Sequence, residues 1–103
     1  MAYQAIVHQM LWKELHQEAH EEVKAAMKAL AGRKDPAAAP NVRPLANSNF
    51  RGSFRLRVGR FRVLFILLPD EAALVFTTAF EKKRDSDYDG AVERHDRRVR
   101  RYE

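Results

Sequence analysis

The 103-residue sequence contains no cysteine, which excludes disulfides, thiolate catalysis and cysteine-based zinc or iron–sulfur sites. Its longest uninterrupted apolar run covers residues 63–68, far short of the ~18–20 residues that cross a bilayer. The N-terminal segment lacks the basic start and long apolar stretch of a secretory signal. We therefore expect a cytoplasmic protein with no membrane partner.

Acidic residues are missing from the middle of the chain. Nineteen Lys and Arg against fourteen Asp and Glu give a net charge of +5, yet residues 41–69 hold six arginines and no acidic residue. This concentration of positive charge favours a polyanionic or acidic partner. Since domains cluster near ~100–150 residues, we expect residues 1–103 to form a single domain.

Glycine is scarce, and its four positions form no phosphate-binding loop, dinucleotide motif or nucleophile elbow. Residues 3–7 are β-prone and predict a first strand. Apolar residues recur at three- and four-residue steps over 9–31, which predicts a helix that can break near 16–19 into two. Gly32 ends this pattern, and the proline-containing residues 33–53 predict an irregular connector.

From residue 54 the apolar period changes to two, and Gly59-Arg60 has the glycine-first sequence of a type II′ hairpin loop. That loop length fixes the register and pairs Arg57 with Arg62. One face then carries the apolar residues Phe54, Leu56, Val58, Phe61, Val63 and Phe65. The other carries Arg55, Arg57 and Arg62, with Leu64 and Ile66 beyond them.

A third strand over 73–80 completes a meander, and a last helix begins near Asp87. One face of that helix carries Tyr88, Val92, His95, Val99 and Tyr102. The sequence therefore predicts an α+β domain with a small antiparallel sheet. The expected order is a strand, one or two helices, a three-stranded meander and a C-terminal helix, with helices covering one face of the sheet.

The arginine face is the main candidate site. Like charges side by side on a sheet repel one another, and an anion between them relieves the repulsion. Guanidinium groups match phosphate oxygens bidentately and keep their charge at any working pH. A solvated outer sheet face is the alternative. Because three arginines share this face with apolar Leu64 and Ile66, we favour a phosphate-binding concavity.

A second basic cluster, Lys82-Lys83-Arg84, ends the third strand, and Tyr88 follows it in the first turn of the last helix. A phenol beside cations suits proton transfer or stacking on a base. The alternative role of Tyr88 is an apolar anchor for the helix, and spacing alone favours that role.

Histidine offers weaker candidates. His16 and His20 are four residues apart, but Gln17 stands where a metal-binding helix has glutamate, and no third ligand is evident. We therefore expect no metal and no cofactor. His95 is a candidate acid or base, although a packing role is the commoner one at such a position.

The segment from Phe54 to Phe65 is similar to the signature hairpin of the RelE/ParE toxin superfamily. The preceding residues 41–45 resemble that family's approach to the sheet, and residues 83–88 resemble its basic strand end with a nearby tyrosine. The resemblance covers nearly the whole chain and favours the RelE-like branch. It implies a RelE-like fold and a type II toxin with a cognate antitoxin partner.

RelE-like toxins cleave mRNA at the ribosome without metal, by attack of a ribose 2′-hydroxyl on the adjacent phosphate. Carried over by position, the resemblance implies the catalytic residues Arg57, Arg62, Arg84 and Tyr88. It implies phosphate contacts from Arg55, Lys82 and Lys83. The positions of Arg55 and Arg57 are often lysines in ribosome-dependent members. Arginine cannot deprotonate to act as a base. Tyr88 or a lysine of the Lys82-Lys83 pair is then the expected proton acceptor.

Two other functions stay open at this point. A ParE-like inhibitor of DNA gyrase shares the superfamily, although such members lack the full set of basic residues and tyrosine. A non-catalytic binding module with the same fold is the third alternative.

Overall fold

The structure, a computed structural model, describes residues 3–102, with the side chain of Tyr102 outside that description. In chain order the strands and helices are β1 (Gln4–Val7), α1 (Gln9–Glu14), α2 (His20–Ala31), β2 (Val42–Pro44), β3 (Ser53–Val58), β4 (Phe61–Leu68), β5 (Ala73–Glu81) and α3 (Asp87–Tyr102). Short 3₁₀ helices cover Gln17–Ala19, Pro36–Ala38 and Pro69–Glu71. Within residues 3–102, every helix is too short or too polar to cross a bilayer.

The predicted break in the first helical segment is confirmed. α1 ends at Glu14, and the 3₁₀ helix Gln17–Ala19 separates it from α2. The His16 ring accepts a hydrogen bond from the Glu18 N–H at 3.2 Å, as a side-chain cap does at a helix start. α2 ends at Gly32, as the sequence predicts.

Five strands form one sheet in the order β1-β5-β4-β3-β2. The meander β3–β4–β5 is antiparallel, and β1 lies parallel to β5 at one edge. The strand β2 at the other edge lies within the predicted irregular connector, and that prediction is wrong here. Val42 is buried and Pro44 ends the strand, a position where an edge strand tolerates proline.

The hairpin register is confirmed pair for pair: Val58 faces Phe61, Arg57 faces Arg62, and Leu56 faces Val63. Gly59 has φ +58°, which the first position of a type II′ turn requires. All of the predicted apolar face except half-buried Phe54 is buried against α1 and α2. The prediction of an inward apolar face and an opposite arginine face is therefore confirmed.

Helices cover both faces of the sheet, so the expectation of one covered face is wrong. The face opposite α1 and α2 packs against α3 through two further clusters of buried residues. Leu64, Ala91 and Val92 form one, and Ile66, Val75 and Val99 form the other. The sequence conceals this cover because Leu64 and Ile66 share their face with arginines.

A bulge in β5 turns polar side chains toward α3. Leu64 pairs with Thr78 and Phe65 with Phe76, which leaves Thr77 as the extra residue. Thr77 Oγ1 lies 2.5 Å from Nδ1 of His95, and Nε2 of the same ring lies 2.8 Å from Ser53 Oγ. His95 is fully buried, and desolvation lowers its pKa to about 4 despite the nearby Asp96 carboxylate. His95 is therefore a packing residue that docks α3 on β3 and β5 as a neutral ring.

A second polar contact ties α3 to α1. Both nitrogens of the Arg98 guanidinium donate to the Glu14 carboxylate, at 2.7 and 2.6 Å, and Arg98 also donates to the Thr77 carbonyl at 2.8 Å. The hydrogen bond from Arg98 is the main reason that the pKa of Glu14 is lowered. The last helix is thus held at the sheet and at the first helix.

We predict that stability falls as the pH falls from about 6.5 toward 4. In this window the unfolded chain protonates His95 and the folded chain does not, so protons favour unfolding. The 2.5-unit difference between 6.5 and about 4 corresponds to roughly 3 kcal/mol in the free energy of unfolding. Urea unfolding at a series of pH values measures this slope.

The matched variants are His95→Gln and His8→Gln. The first should flatten the slope between pH 6.5 and 5. Partial burial also lowers the pKa of His8, but that group is far less enclosed, so His8→Gln should keep most of the slope. An unchanged slope in His95→Gln would show that His95 does not govern the acid sensitivity.

Candidate functional site

The arginine face lines a cavity of about 340 Å³. Its arginines come from the adjacent strands β2, β3 and β4, where they occupy paired positions on neighbouring strands. Arg57 pairs with Arg62 across β3 and β4, and Arg43 pairs with Arg55 across β2 and β3. The cationic lining of this cavity, called the cationic cavity below, consists of Arg43, Arg55, Arg57, Arg62 and Lys82.

Backbone carbonyls hold two of these guanidinium groups. Arg62 Nη1 donates to the carbonyls of Gly59 and Phe61 at 2.8 and 2.9 Å. Arg43 Nη1 donates to those of Pro40 and Val42 at 3.0 and 2.9 Å. Their remaining N–H groups stay available for another acceptor. Each side chain is thereby fixed without its charge being neutralised.

Carboxylates do not neutralise the arginines of the cationic cavity. Within residues 3–102, none of these four arginines forms an ion pair. Asp85 is the single carboxylate in the lining, and it contacts Lys82 Nζ at 3.0 Å with its own side chain 96% exposed. Such an exposed pair contributes little, so the cavity keeps a strong positive field.

Tyr88 lies at the wall of the cationic cavity. Its ring meets Phe80 edge-on, with centroids 5.2 Å apart, and the Arg55 guanidinium lies over the ring at 5.2 Å. The phenol oxygen is buried and has no hydrogen-bond partner among residues 3–102. Unpaired buried hydroxyls are rare, and a ligand group that reaches this oxygen would give it a partner.

Asp87 positions Tyr88. Its carboxylate accepts hydrogen bonds from the backbone N–H groups of Lys83 and Arg84 at 2.7 and 3.0 Å, which lowers its pKa. Asp87 is the first residue of α3, where the sequence predicts that the last helix begins. The Asp87 side chain, however, holds the preceding turn instead of the first helical N–H groups. This turn brings the end of β5 and the start of α3 to one side of the cavity.

The structure brings together five of the predicted site residues: Arg55, Arg57, Arg62, Lys82 and Tyr88. Lys83 and Arg84 are exposed in the turn and do not line the cationic cavity. Sequence reasoning missed Arg43 as a member of the cluster. The residue belongs to β2, whose three residues are too few to show a period of two, although the acid-free basic stretch contained it.

No histidine lines the cationic cavity. His20 Nε2 donates to the Leu15 carbonyl at 2.8 Å, and His95 lies in the core. Within residues 3–102, no three His, Asp or Glu side chains are grouped as metal ligands. The cavity can therefore bind a phosphate and stabilise extra negative charge on it, with Tyr88 and Lys82 as groups that can exchange a proton.

We predict that Tyr88→Phe leaves stability within about 0.5 kcal/mol of the wild type. The phenol oxygen makes no hydrogen bond with any of residues 3–102, so its removal deletes no favourable contact seen there, and the ring keeps its packing on Phe80. Thermal or urea unfolding measures the difference. A loss of several kcal/mol would mean that the hydroxyl has a structural partner.

We also predict that inorganic phosphate raises the melting temperature more in the wild type than in Arg57→Ala. A ligand that binds only the folded state stabilises it by mass action, and Arg57 is an exposed arginine of the cationic cavity. Arg33→Ala, at the exposed end of α2, removes the same charge elsewhere and should respond as the wild type does. Equal responses of all three would exclude the cavity as the phosphate site.

No protein-family model matches the sequence, and no curated protein does. Solved structures match the fold. A RelE–RelB complex from Pyrococcus horikoshii OT3 aligns with a TM-score of 0.63 at 16% identity, over 82% of this chain and 99% of that chain. The RelBE2 toxin–antitoxin complex from Mycobacterium tuberculosis aligns with a TM-score of 0.62 at 17% identity, over 82% and 95%.

A mutant of the E. coli toxin RelE in the free state aligns with a TM-score of 0.62 at 18% identity, over 91% of this chain and 98% of that chain. The match therefore includes almost all of each relative. At these identities the comparison shows a common fold.

Proposed function

Since the chain has the fold of RelE toxins, we propose that it is the toxin of a type II toxin–antitoxin pair and cleaves mRNA at the ribosome. The observation that carries the proposal is the cationic cavity, where four arginines surround a space beside the Tyr88 phenol. Over the described residues 3–102, these arginines have no carboxylate partner and the phenol oxygen has no hydrogen-bond partner. Such a cavity suits a phosphodiester better than a neutral ligand, because a bound anion relieves the repulsion among the arginines.

The proposed reaction is a transesterification within the RNA strand. The ribose 2′-oxygen forms a bond to the adjacent phosphorus, and the bond from phosphorus to the 5′-oxygen of the next nucleotide breaks. The 2′-hydroxyl proton is lost and the departing 5′-oxygen gains one. The products are a 2′,3′-cyclic phosphate and a 5′-hydroxyl, so no water or metal is consumed.

Arg57 and Arg62 are the proposed groups that stabilise the extra charge on the pentacoordinate phosphorus. They face each other across the hairpin, and the carbonyl contacts of Arg62 fix it in advance of binding. Preorganised donors of this kind contribute ~10²–10³-fold each to a rate. Arg43 and Arg55 would bind the flanking phosphates and hold the strand in line for attack.

Tyr88 is the proposed proton-transfer group. Arginine keeps its proton, whereas the Tyr88 hydroxyl lies at the cavity wall with no hydrogen-bond partner among residues 3–102. A phenol can accept the 2′-hydroxyl proton as phenolate or donate its own to the departing oxygen. Arg84 and Lys83, outside the cavity, are left for contacts to the ribosome or to more distant phosphates.

The partner proposed for this chain is a cognate antitoxin. Two of the structural relatives above are complexes of a RelE protein with its RelB partner. An antitoxin that inhibits this chain needs to neutralise the cationic cavity, so we expect an acidic or amphipathic segment to cover it. Ribosome and mRNA are the other proposed partners, and phosphate contacts would make RNA binding steeply salt-dependent.

The test is induced expression in bacteria, with growth measured and mRNA 5′ ends mapped. The wild type should arrest growth and produce cuts in phase with codons. Arg57→Ala, Arg62→Ala and Tyr88→Phe should each relieve the arrest, with cleavage reduced about 100-fold or more. Arg33→Ala should remain fully toxic.

The outcomes separate the alternatives. Undiminished toxicity in all three cavity variants would refute the site. DNA breaks with intact mRNA would instead indicate a gyrase inhibitor. Expression without a growth defect, in the absence of an antitoxin, would indicate a non-catalytic binding module. Because Tyr88→Phe removes no contact in the fold, its effect on cleavage reports chemistry and not unfolding.

A further inference from the structure

A second and larger cavity, of about 870 Å³, lies between the loop after β2 and the first turns of α3. It shares Arg55, Asp85 and Tyr88 with the cationic cavity, so the two spaces are neighbours separated by the Arg55–Tyr88 pair. The proposed chemistry at the phosphate does not use this second cavity. Its lining differs in kind from that of the first.

The loop wall of the second cavity is fixed by Asp96 of α3. Its carboxylate accepts hydrogen bonds from Ser48 Oγ at 2.6 Å and from the Asn49 N–H at 2.9 Å. Ser48 Oγ also lies 3.2 Å from Ser53 Oγ, which contacts His95. Asn47, at the tip, has φ +71°, a conformation that asparagine tolerates better than most residues. The wall is therefore built in advance of any ligand.

Amides and carboxylates from opposite walls face this space. Asn47 and Asn49 line it from the loop, and Asp89 and Glu93 line it from α3. Asp89 and Glu93 are four residues apart and so lie on the same side of the helix. The carboxylates repel a phosphate. The set matches the edge of a nucleobase, since carboxylates accept from exocyclic amino groups and amides both donate and accept.

Arginines continue the lining farther along α3. Arg97 and Arg100 also line the cavity, ~13 and ~18 Å along the helix axis from Tyr88 at 1.5 Å per residue. The order along the surface is thus a cationic cavity, the Arg55–Tyr88 pair, a polar segment with carboxylates, and a second cationic segment. A single RNA strand presents this alternation of phosphate, base and phosphate.

The Arg55–Tyr88 pair provides a platform between the two cavities. The guanidinium lies on the phenol ring at 5.2 Å, and Arg55 lines both spaces. Guanidinium planes and aromatic rings are the usual stacking surfaces for unpaired RNA bases. A base stacked there would bring its edge to Asn47, Asn49, Asp89 and Glu93.

We propose that the second cavity binds the nucleobase beside the cleaved phosphate and selects bases that carry an exocyclic amino group. Adenine, cytosine and guanine present such a donor, and uracil does not. This assignment rests on the proposed function, because it takes the ligand of the cationic cavity to be an RNA phosphate. It adds a sequence preference, located in Asp89 and Glu93.

The test is calorimetric binding of the four ribonucleoside 3′-monophosphates and of ribose 5-phosphate to the purified protein. The three amino-bearing nucleotides should bind about 10-fold or more tightly than 3′-UMP, the discrimination expected from one good base contact. In the double variant Asp89→Ala/Glu93→Ala this preference should disappear, while 3′-UMP binding is retained or strengthened. Glu21→Ala, at an exposed position of α2, is the matched control and should keep the preference.

Both substituted positions are exposed on α3, where alanine is a good helix former, so circular dichroism should show an unchanged fold. Equal binding of all four nucleotides, or a preference that survives the double variant, would overturn the assignment. Binding of mononucleotides requires no cleavage. A protein that cuts mRNA without base preference would thus refute the base pocket alone, and one that binds bases selectively but cuts nothing would refute only the nuclease.

Discussion

The register of the β3–β4 hairpin is the constraint on which the rest of the structure depends. Gly59 and Arg60 form a two-residue loop, and this length places Arg57 opposite Arg62 and Val58 opposite Phe61. Because side chains alternate across a strand, a shift by one residue would exchange the two faces of the hairpin. Guanidinium groups would then enter the core under α1 and α2. The buried apolar face therefore determines where the arginines lie.

The arrangement of the arginines costs electrostatic energy that the protein itself does not offset. Arg43, Arg55, Arg57 and Arg62 share one surface, and within residues 3–102 they have no carboxylate partners. Carbonyl contacts fix Arg43 and Arg62 instead, and packing on Tyr88 fixes Arg55. A fold that fixes several like charges in place, without neutralising them, is prepared for an anion from outside.

Helix α3 completes both cavities, and polar contacts determine its position. The buried His95 joins it to β3 and β5, Arg98 joins it to Glu14 of α1, and Asp96 holds the loop after β2 against it. Apolar contacts with Leu64 and Ile66 supply the area, but such contacts alone would allow the helix to slide. The hydrogen bonds have specific partners, and they place Tyr88 where it meets Arg55.

Local pattern was sufficient to predict the order of the main elements, the helix break and the hairpin register. A period of two over 54–65 and a glycine-first loop leave little freedom in how those residues pair. β2 could not be predicted because its three residues, one of them proline, carry no period. The second covered face was also hidden, since Leu64 and Ile66 alternate with buried residues on the opposite side of β4.

The candidate site was predictable in its strand residues and less so in its turn residues. Arg55, Arg57 and Arg62 follow from the register, and Tyr88 from the position of the helix start. Lys82, Lys83 and Arg84 are consecutive, and sequence does not say which of them faces inward once β5 ends. The bulge at Thr77 and the contacts of His95 depend on residues far apart in the chain, which periodicity does not detect.

The place of β1 in the sheet has a consequence for how the chain folds. β2, β3, β4 and β5 are neighbours in sequence and in space, so each pairing closes a short loop. β1 instead pairs Gln4 with Ala73, which closes a loop of most of the chain and carries a larger entropic cost. All residues that line the cationic cavity lie between Pro40 and Tyr88, within the part built from short loops. The order of assembly therefore favours the cationic cavity first and the parallel edge strand last.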